Sequence, residues 1–329
     1  MSLQLVFNNI TNVLRNEWME VQTLIKESVL SDVQYLNIIN DHIFSSSGKM
    51  IRPLLALVSA KACYPTISKK AIVVAVASEL IHNATLLHDD VVDDSDIRRG
   101  KKTVNASFSS GASVLLGDYW LSKAIILLIE NNCSQQVLNY FAYAIAELAR
   151  GEMLQMQRAD DLQTSLEDYL SIISSKTGSL FTAAICGATF IIDSENEYLN
   201  SLKGYAKYLG ISFQIRDDIL DYSSLQKDGK DILSDIAERK ITIPFLCACK
   251  NSTQLDAKLR ALMSEIDILN PNKVLINEIH ELVISNNGLE DAKTELDMYI
   301  QKAIDSIRLI PDSIYKQALV DISRGLSLS

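Results

Sequence analysis

Two clusters of carboxylates share one spacing in this sequence: Asp89-Asp90-Val91-Val92-Asp93 and Asp217-Asp218-Ile219-Leu220-Asp221. Residues four apart on a helix lie on one face, so Asp89 aligns with Asp93 and Asp217 with Asp221. Asp90 and Asp94 flank the first pair, and Asp218 flanks the second. Like charges at this spacing destabilise a helix, so something has to compensate them. Hard divalent cations do so through oxygen ligands. Mg2+ in particular takes few carboxylates and completes its octahedron with water and substrate phosphate. A single such motif is equally consistent with a solvated acidic helix end. Two matched motifs, each at the end of an apolar segment, favour metal binding. A calcium loop starting at Asp94 fails, because its fifth and sixth positions are Arg98 and Arg99, where an acid or Asn and then Gly are needed.

Cations stand near these carboxylates. Arg98-Arg99-Gly100 follows the first motif directly, and Gly48-Lys49-Met50-Ile51-Arg52-Pro53 sets a Lys and an Arg three apart where a loop enters a helix. Helix N-termini favour anions, and Arg binds phosphate bidentately. Lys176-Thr177-Gly178 and the segment from Lys230 to Lys240 add further positive charge. Singly, each is an ordinary surface cation. Together with the acidic motifs they fit a metal-bound diphosphate.

The elements that must position these groups read as helices. Gln135 to Gln155 carries apolar residues at three- and four-residue steps, including Val137, Leu138, Phe141, Ile145 and Leu148. Lys70 to His88 and Leu180 to Ile192 are apolar on nearly all sides, as helices at the centre of a bundle are. Breaks fall at Ser45 to Gly48, Tyr64-Pro65, Arg98 to Gly100, Ser223 to Gly229, Asn270-Pro271 and Ile310-Pro311. With only 12 Gly and 5 Pro in 329 residues, and 48% hydrophobic residues, the expectation is one all-α domain over residues 1–329. It should be a bundle of about a dozen helices with the central ones buried.

Bulk properties exclude other classes. A net charge of −10 argues against a nucleic-acid partner. Five cysteines (Cys63, Cys133, Cys186, Cys247 and Cys249) are odd in number and lack zinc-ligand spacing, which suits reduced thiols. The N-terminal stretch lacks the basic start and apolar block of a signal peptide, and runs such as Ala124 to Ile129 are shorter than a membrane span. The expected location is cytoplasmic, with no membrane span.

Five segments then carry a resemblance. Gly48 to Pro53, Glu79 to Gly100 (ELIHNATLLHDDVVDDSDIRRG), Ser175 to Phe181 (SKTGSLF), Phe213 to Tyr222 (FQIRDDILDY) and Gly229 to Pro244 (GKDILSDIAERKITIP) resemble the trans-isoprenyl diphosphate synthases. They occur in the family's order, and the likeness runs from about residue 20 to about residue 325. The bacterial octaprenyl diphosphate synthases, which make quinone side chains, are nearest in feel. The resemblance implies the isoprenoid synthase fold with a central cavity, a homodimer, and condensation of isopentenyl diphosphate onto an allylic diphosphate such as farnesyl diphosphate.

Roles follow position by position from that resemblance. Asp89, Asp90, Asp93, Asp217, Asp218 and Asp221 would hold Mg2+, three ions per active site, with Mn2+ able to substitute. Arg98, Lys176, Lys230 and Lys240 would take the allylic diphosphate, and Lys49, Arg52, His82 and Arg99 the isopentenyl diphosphate. Lys176, Thr177 and Gln214 would border the reacting carbons. The spacer between Lys230 and Lys240 departs from the family's Gly-containing loop, although both lysines and Asp235 remain.

Product length depends on what blocks the growing tail. Ala84 and Thr85 lie about one helical turn before Asp89 and are small, where short-chain members carry bulky aromatics. The expected product is therefore longer than C20, with octaprenyl (C40) implied, and Val137 and Phe141 are candidates for a deeper floor. A shorter-chain geranylgeranyl synthase is the nearest alternative. An all-α metal phosphohydrolase, hinted at by His42 and His88-Asp89, leaves the second motif and the lysines unexplained. A terpene cyclase needs only one diphosphate site, and a non-catalytic partner subunit has no use for two intact motifs.

Overall fold

Apolar steps of three and four residues become helix almost throughout. The computed structural model describes residues 3–45, 48–190, 197–223 and 233–328. In chain order the elements are α1 (Leu3–Val13), α2 (Arg15–Ser28), α3 (Gln34–Phe44), α4 (Ile51–Cys63), α5 (Lys69–Val92), β1 (Ile97–Arg98), β2 (Lys101–Lys102), α6 (Val104–Ser107), α7 (Ser110–Glu130) and α8 (Gln135–Asp161). Then follow α9 (Leu166–Ile173), a π-helical turn over Ser174–Gly178, α10 (Ser179–Phe190), α11 (Leu199–Asp221), α12 (Ser234–Ala237), α13 (Ile243–Cys249), α14 (Thr253–Ser264), α15 (Lys273–Ser285), α16 (Gly288–Ser306) and α17 (Ile314–Arg324). The all-α expectation is met. The only pairing among the described residues is the two-residue hairpin β1–β2.

Two compact units divide the chain. The first comprises the described residues within Met1–Ile145, Leu180–Ala206 and Ser306–Gly325. Its core helix is α5, buried without interruption from Ala71 to Ile81, which is why this stretch carries almost no polar side chains. Ser68 caps its start, the hydroxyl accepting from Ala71 N at 3.2 Å. α4 and α7 pack on α5, and α17 packs on α4. At Gly117 the backbone of α7 comes so close to α5 that a Cβ there would collide with the His88 ring. Trp120, fully buried, donates from Nε1 to Asn40 Oδ1 at 2.9 Å.

By length and composition α5 and α7 could each cross a membrane. The apolar window of α5 is 72% buried inside the protein, which marks it as a core helix, whereas that of α7 is 39% buried. α7 leaves Leu115, Ile126 and Ile129 exposed. All five cysteines are free thiols.

The second unit comprises the described residues within Ala146–Ser179, Lys207–Asp305 and Leu326–Ser329. Its core gathers Tyr222, Ile236, Phe245, Leu259 and Ile279, where α13, α14 and α15 pack on one another. α9 opens with a capping box between Ser165 and Asp168. That fixes the start of the segment running into the π-helical turn.

Candidate active site

The first motif closes α5. Asp89 is half-buried, Asp90 is buried, and Asp93 ends the helix. Asp94 then turns the chain through the left-handed region, with φ of 48°. In the hairpin that follows, Ile97 pairs with Lys102 and Arg98 with Lys101. Arg99 and Gly100 are its two loop residues, both with positive φ, 53° and 74°. That is the type I′ turn favoured by strand twist. The Arg-Arg-Gly signature is thus a backbone device as well as a run of charge. His42 and Ser45 at the end of α3 pin the hairpin: the His42 ring lies 2.8 Å from Lys102 O, and Lys101 Nζ donates to Ser45 Oγ at 3.0 Å.

This turn brings cations to one place. Arg98 Nε donates to Asp90 Oδ1 at 2.7 Å. The Arg99 guanidinium lies against Gly48, where any Cβ would collide with it. Lys49 is exposed beside Gly48, and Met50, with φ of 50°, swings the chain into α4 and sets Arg52 in its first turn. Arg52 stacks over the Phe181 ring at 4.9 Å from its centroid. His82 feels all three arginines: burial first, then Arg52, Arg99 and Arg98, hold its imidazole well below the ordinary 6.5. It is therefore neutral at physiological pH.

The expected residues Arg52, Arg98 and Arg99 thus all act electrostatically on His82. One carboxylate was not singled out from the sequence. Glu79, buried, is pushed up by burial and held down by Arg52, by a hydrogen bond from Asn83 and by Arg99. The available signal was its being the only acid in the apolar run from Ala71 to Ile81.

One helical turn before Asp89, Ala84 is fully buried and Thr85 turns its hydroxyl back to His82 O at 2.8 Å. Val137 and Phe141 are fully buried. They meet α10 at Gly187, where an added Cβ would lie 3.3 Å from Val74 Cγ1, 3.7 Å from Phe141 Cε2 and 3.8 Å from Val137 Cγ1.

The second motif, in the second unit, closes α11. Asp217 is exposed, while Asp218 and Asp221 are buried. Asp221 is occupied by backbone: Oδ1 accepts from Ser234 N at 3.1 Å and Ser234 Oγ at 2.8 Å, and Oδ2 from Asp235 N at 3.0 Å. It thus caps α12. Asp218 Oδ2 accepts from Tyr169 OH at 2.6 Å and Oδ1 from Gln214 Nε2 at 2.9 Å, while Gln214 Oε1 accepts from Thr177 at 3.0 Å.

Lys176 and Thr177 sit on the π-helical turn, a feature frequent at functional sites. Lys176 Nζ pairs with Glu152 and donates to Gln155 Oε1 at 2.8 Å. Gly151 admits this approach, since a Cβ there would lie 2.8 Å from Lys176 Cγ.

A cavity of about 180 Å3 opens here, lined among others by Arg158, Tyr169, Lys176, Asp218, Asp235 and Lys240. Lys240 pairs with Glu238. Burial pushes the Asp218 carboxyl up to about 7, with Asp217 and Asp221 adding to it against the bonds from Tyr169 and Gln214. Asp235 is pushed well above 3.8 by burial, Asp218 and Asp221, and Lys240 opposes the shift. Tyr169 and Asp235 had no assigned role in the sequence. Lys230 lies outside the described residues. Among the described residues no group of three or more His, Cys, Asp or Glu side chains is gathered closely enough to hold a metal ion.

The polyprenyl synthetase family model matches residues 33–274. The octaprenyl diphosphate synthase of Haemophilus influenzae is 37% identical over 294 residues, covering 89% of this chain and 88% of that protein. The octaprenyl diphosphate synthase of Escherichia coli is 35% identical over 304 residues, covering 92% and 93%. Among solved structures, a polyprenyl synthase from Caulobacter crescentus, complexed with calcium and isoprenyl diphosphate, superposes with a TM-score of 0.88 at 30% identity over 97% of both chains. The chain belongs to the polyprenyl synthetase family, and it is a prenyltransferase.

Proposed function

We propose that this prenyltransferase condenses isopentenyl diphosphate onto an allylic diphosphate, farnesyl diphosphate being the primer. The product is an all-trans long-chain polyprenyl diphosphate, octaprenyl (C40), that supplies quinone side chains. One observation carries the reading: each aspartate motif comes with its own set of cations. Arg52, Arg98 and Arg99 all act on a neutral His82 on the helix that carries the first motif. Lys176 and Lys240 line the cavity at the second. Cations beside both motifs suit the binding of diphosphate groups. The names of the two relatives above support the product length.

The carboxylates fit a divalent cation. Asp218 is raised by burial first and then by Asp217 and Asp221, and a cation bound beside it would favour its charged form. Asp89, Asp90 and Asp93 at the first motif, and Asp217, Asp218 and Asp221 at the second, would hold such cations. Residues holding Mg2+ there would gain from it Lewis-acid neutralisation of the charge on a departing diphosphate. Three ions per site, and Mn2+ in place of Mg2+, belong to the same proposal.

The chain's own residues do the rest. Arg98, Lys176 and Lys240 receive the allylic diphosphate, with Lys230 assigned to it from the sequence alone. Lys49, Arg52, Arg99 and His82 hold isopentenyl diphosphate. Thr177 and Gln214 border the reacting carbons. The allylic C–O bond breaks, the isopentenyl double bond attacks the resulting cation, and the proton then lost passes to the released diphosphate. Residues 1–329 act as one domain in the cytoplasm. A second copy of the chain covers the exposed apolar side chains of α7, making a homodimer.

Purified protein given farnesyl diphosphate, labelled isopentenyl diphosphate and Mg2+ tests the reading, with mass spectrometry of the lipid product. Elongation beyond C20 is expected. Release of phosphate without elongation overturns it, and a C20 end product overturns the long-chain assignment alone.

A further inference from the structure

Asp218 is buried, yet the fold itself supplies a donor to each of its oxygens, Tyr169 OH at 2.6 Å and Gln214 Nε2 at 2.9 Å. A carboxylate oxygen offers two lone-pair sites. Two donors therefore fix the plane of the group and leave one site on each oxygen for a further partner. Gln214 is fixed in turn, because Thr177 Oγ1 donates to its Oε1 at 3.0 Å and so sets which end of the amide faces Asp218.

The chain of bonds begins and ends on one continuous segment. Tyr169 lies on α9 and Thr177 on the π-helical turn that follows it. The two clamp α11 at Asp218 and, through Gln214, one turn earlier. The capping box of α9 fixes the start of this segment, and Tyr169 is 3% exposed. Its hydroxyl has one bonded partner of this kind, and that partner belongs to the acidic motif.

We propose that Tyr169 is a positioning residue for the second motif. Its hydroxyl holds the Asp218 carboxylate, and through Gln214 the Thr177 hydroxyl, in the orientation that receives a divalent cation carrying diphosphate. The inference rests on the metal–diphosphate reading of Asp218 above.

A purely structural hydrogen bond is the alternative, and Tyr205 provides its control. Tyr205 is fully buried in the first unit and donates to Leu319 O at 2.8 Å. Tyr169→Phe deletes one buried phenol hydrogen bond and Tyr205→Phe two, since the Tyr205 hydroxyl also accepts from Ser323 Oγ at 3.3 Å, so both should lower Tm.

Calorimetric binding of inorganic pyrophosphate in Mg2+ separates them, together with the Mg2+ dependence of condensation. Tyr169→Phe is expected to weaken Mg2+-dependent pyrophosphate binding about tenfold, one hydrogen bond to a charged group. It should also raise the half-activating Mg2+ concentration while the KM for isopentenyl diphosphate stays within about twofold. Tyr205→Phe should change neither. Thr177→Val probes the same chain from its far end and should weaken binding in the same direction by a smaller factor. If Tyr169→Phe does not fold, Tyr169→His, which retains a ring and a donor, replaces it: partial retention of pyrophosphate binding is expected, and binding equal to wild type overturns the role of the phenol hydroxyl.

Wild-type-like binding in Tyr169→Phe, or an equal loss in Tyr205→Phe, overturns the positioning role and leaves the metal reading standing. Wild-type protein that binds no pyrophosphate in Mg2+ overturns both.

Discussion

Arg98 and Asp90 hold each other: Nε lies 2.7 Å from Oδ1, with the Asp90 side chain 6% exposed. The sequence places them in opposite roles, one a diphosphate cation and the other a metal ligand. In the structure each is the other's partner. The hairpin turn makes this possible, because it carries Arg98 back beside the end of α5. Ser95 N donates to Asp90 O at 2.9 Å within the same reversal.

Removing the arginine should therefore damage stability as well as activity. Arg98→Ala leaves a buried carboxylate without its counter-charge, a loss of about 3 kcal/mol for a buried pair. The quarter exposure of Arg98 makes this an upper figure. Arg98→Lys keeps the charge but loses the planar fork, so it should fall between wild type and Arg98→Ala. Urea denaturation measures the first effect, and steady-state kinetics with varied allylic diphosphate the second. An Arg98→Ala protein as stable as wild type would show that the ion pair contributes nothing to the fold.

The helical class was legible from period alone, since α5 and α8 carry nearly unbroken apolar patterns. The two acidic motifs were legible from spacing. What no spacing could give was the use each aspartate makes of its oxygens. Asp217, Asp218 and Asp221 read as equivalent, yet one is exposed, one is clamped by Tyr169 and Gln214, and one caps α12. Those partners are 49 and 13 residues away in the chain for Tyr169 and Ser234. Helix periodicity says nothing about contacts at such distances. Likewise Gly48 reads as a loop glycine, and only the folded chain shows that it makes room for a guanidinium.

Gly48→Ala follows from that contact. The added methyl displaces the Arg99 guanidinium, and a displacement of about 1 Å at a substrate-holding group costs up to 10²-fold in catalysis. The loss should fall on the KM for isopentenyl diphosphate, with the KM for the allylic substrate little changed. Gly100→Ala acts differently. It puts a side chain at φ of 74° with open space around it, so it should cost about 1–2 kcal/mol through backbone strain alone. Two-substrate kinetics beside thermal denaturation tells these outcomes apart.

The pH response of stability has two opposing parts. The folded pKa of His82 is depressed below 6.5, so between these values the unfolded chain binds the extra proton and stability falls as pH is lowered. At most about 1.4 kcal/mol is lost per pH unit below 6.5. Asp218 runs the other way. Its carboxyl is raised from 3.8 to about 7, so its folded state gains relative stability as pH falls through 7 and retains it below 3.8. His82→Gln should flatten the acid loss, and Asp218→Asn should steepen it. Apparent Tm measured without divalent cations at pH 5, 6, 7 and 8 (roughly the span in which these groups titrate) tests both signs. A His82→Gln protein that tracks wild type through this range would contradict the first.

Product length offers two substitutions with opposite expected signs. Ala84 is fully buried about one turn from Asp89, and Phe141 is fully buried against Gly187. If the tail runs along α5, a ring at position 84 stops it early and the ring at 141 stops it late. Ala84→Phe should therefore shorten the product toward C15–C20, about one helical turn of 5.4 Å below the motif. Phe141→Ala should lengthen it, at a stability cost of about 3–5 kcal/mol for a truncated core aromatic. Phe141→Leu keeps more of the packing and should lengthen it less. Gly187→Ala sharpens the test, because its methyl would lie 3.3 Å from Val74 Cγ1 and 3.7 Å from Phe141 Cε2 and so crowds the same place while Phe141 itself is retained. It should shorten the product or leave it unchanged, never lengthen it. Mass spectrometry of products primed with farnesyl diphosphate gives the distribution. An unchanged distribution in Phe141→Ala, with the protein folded, rejects Phe141 as the floor.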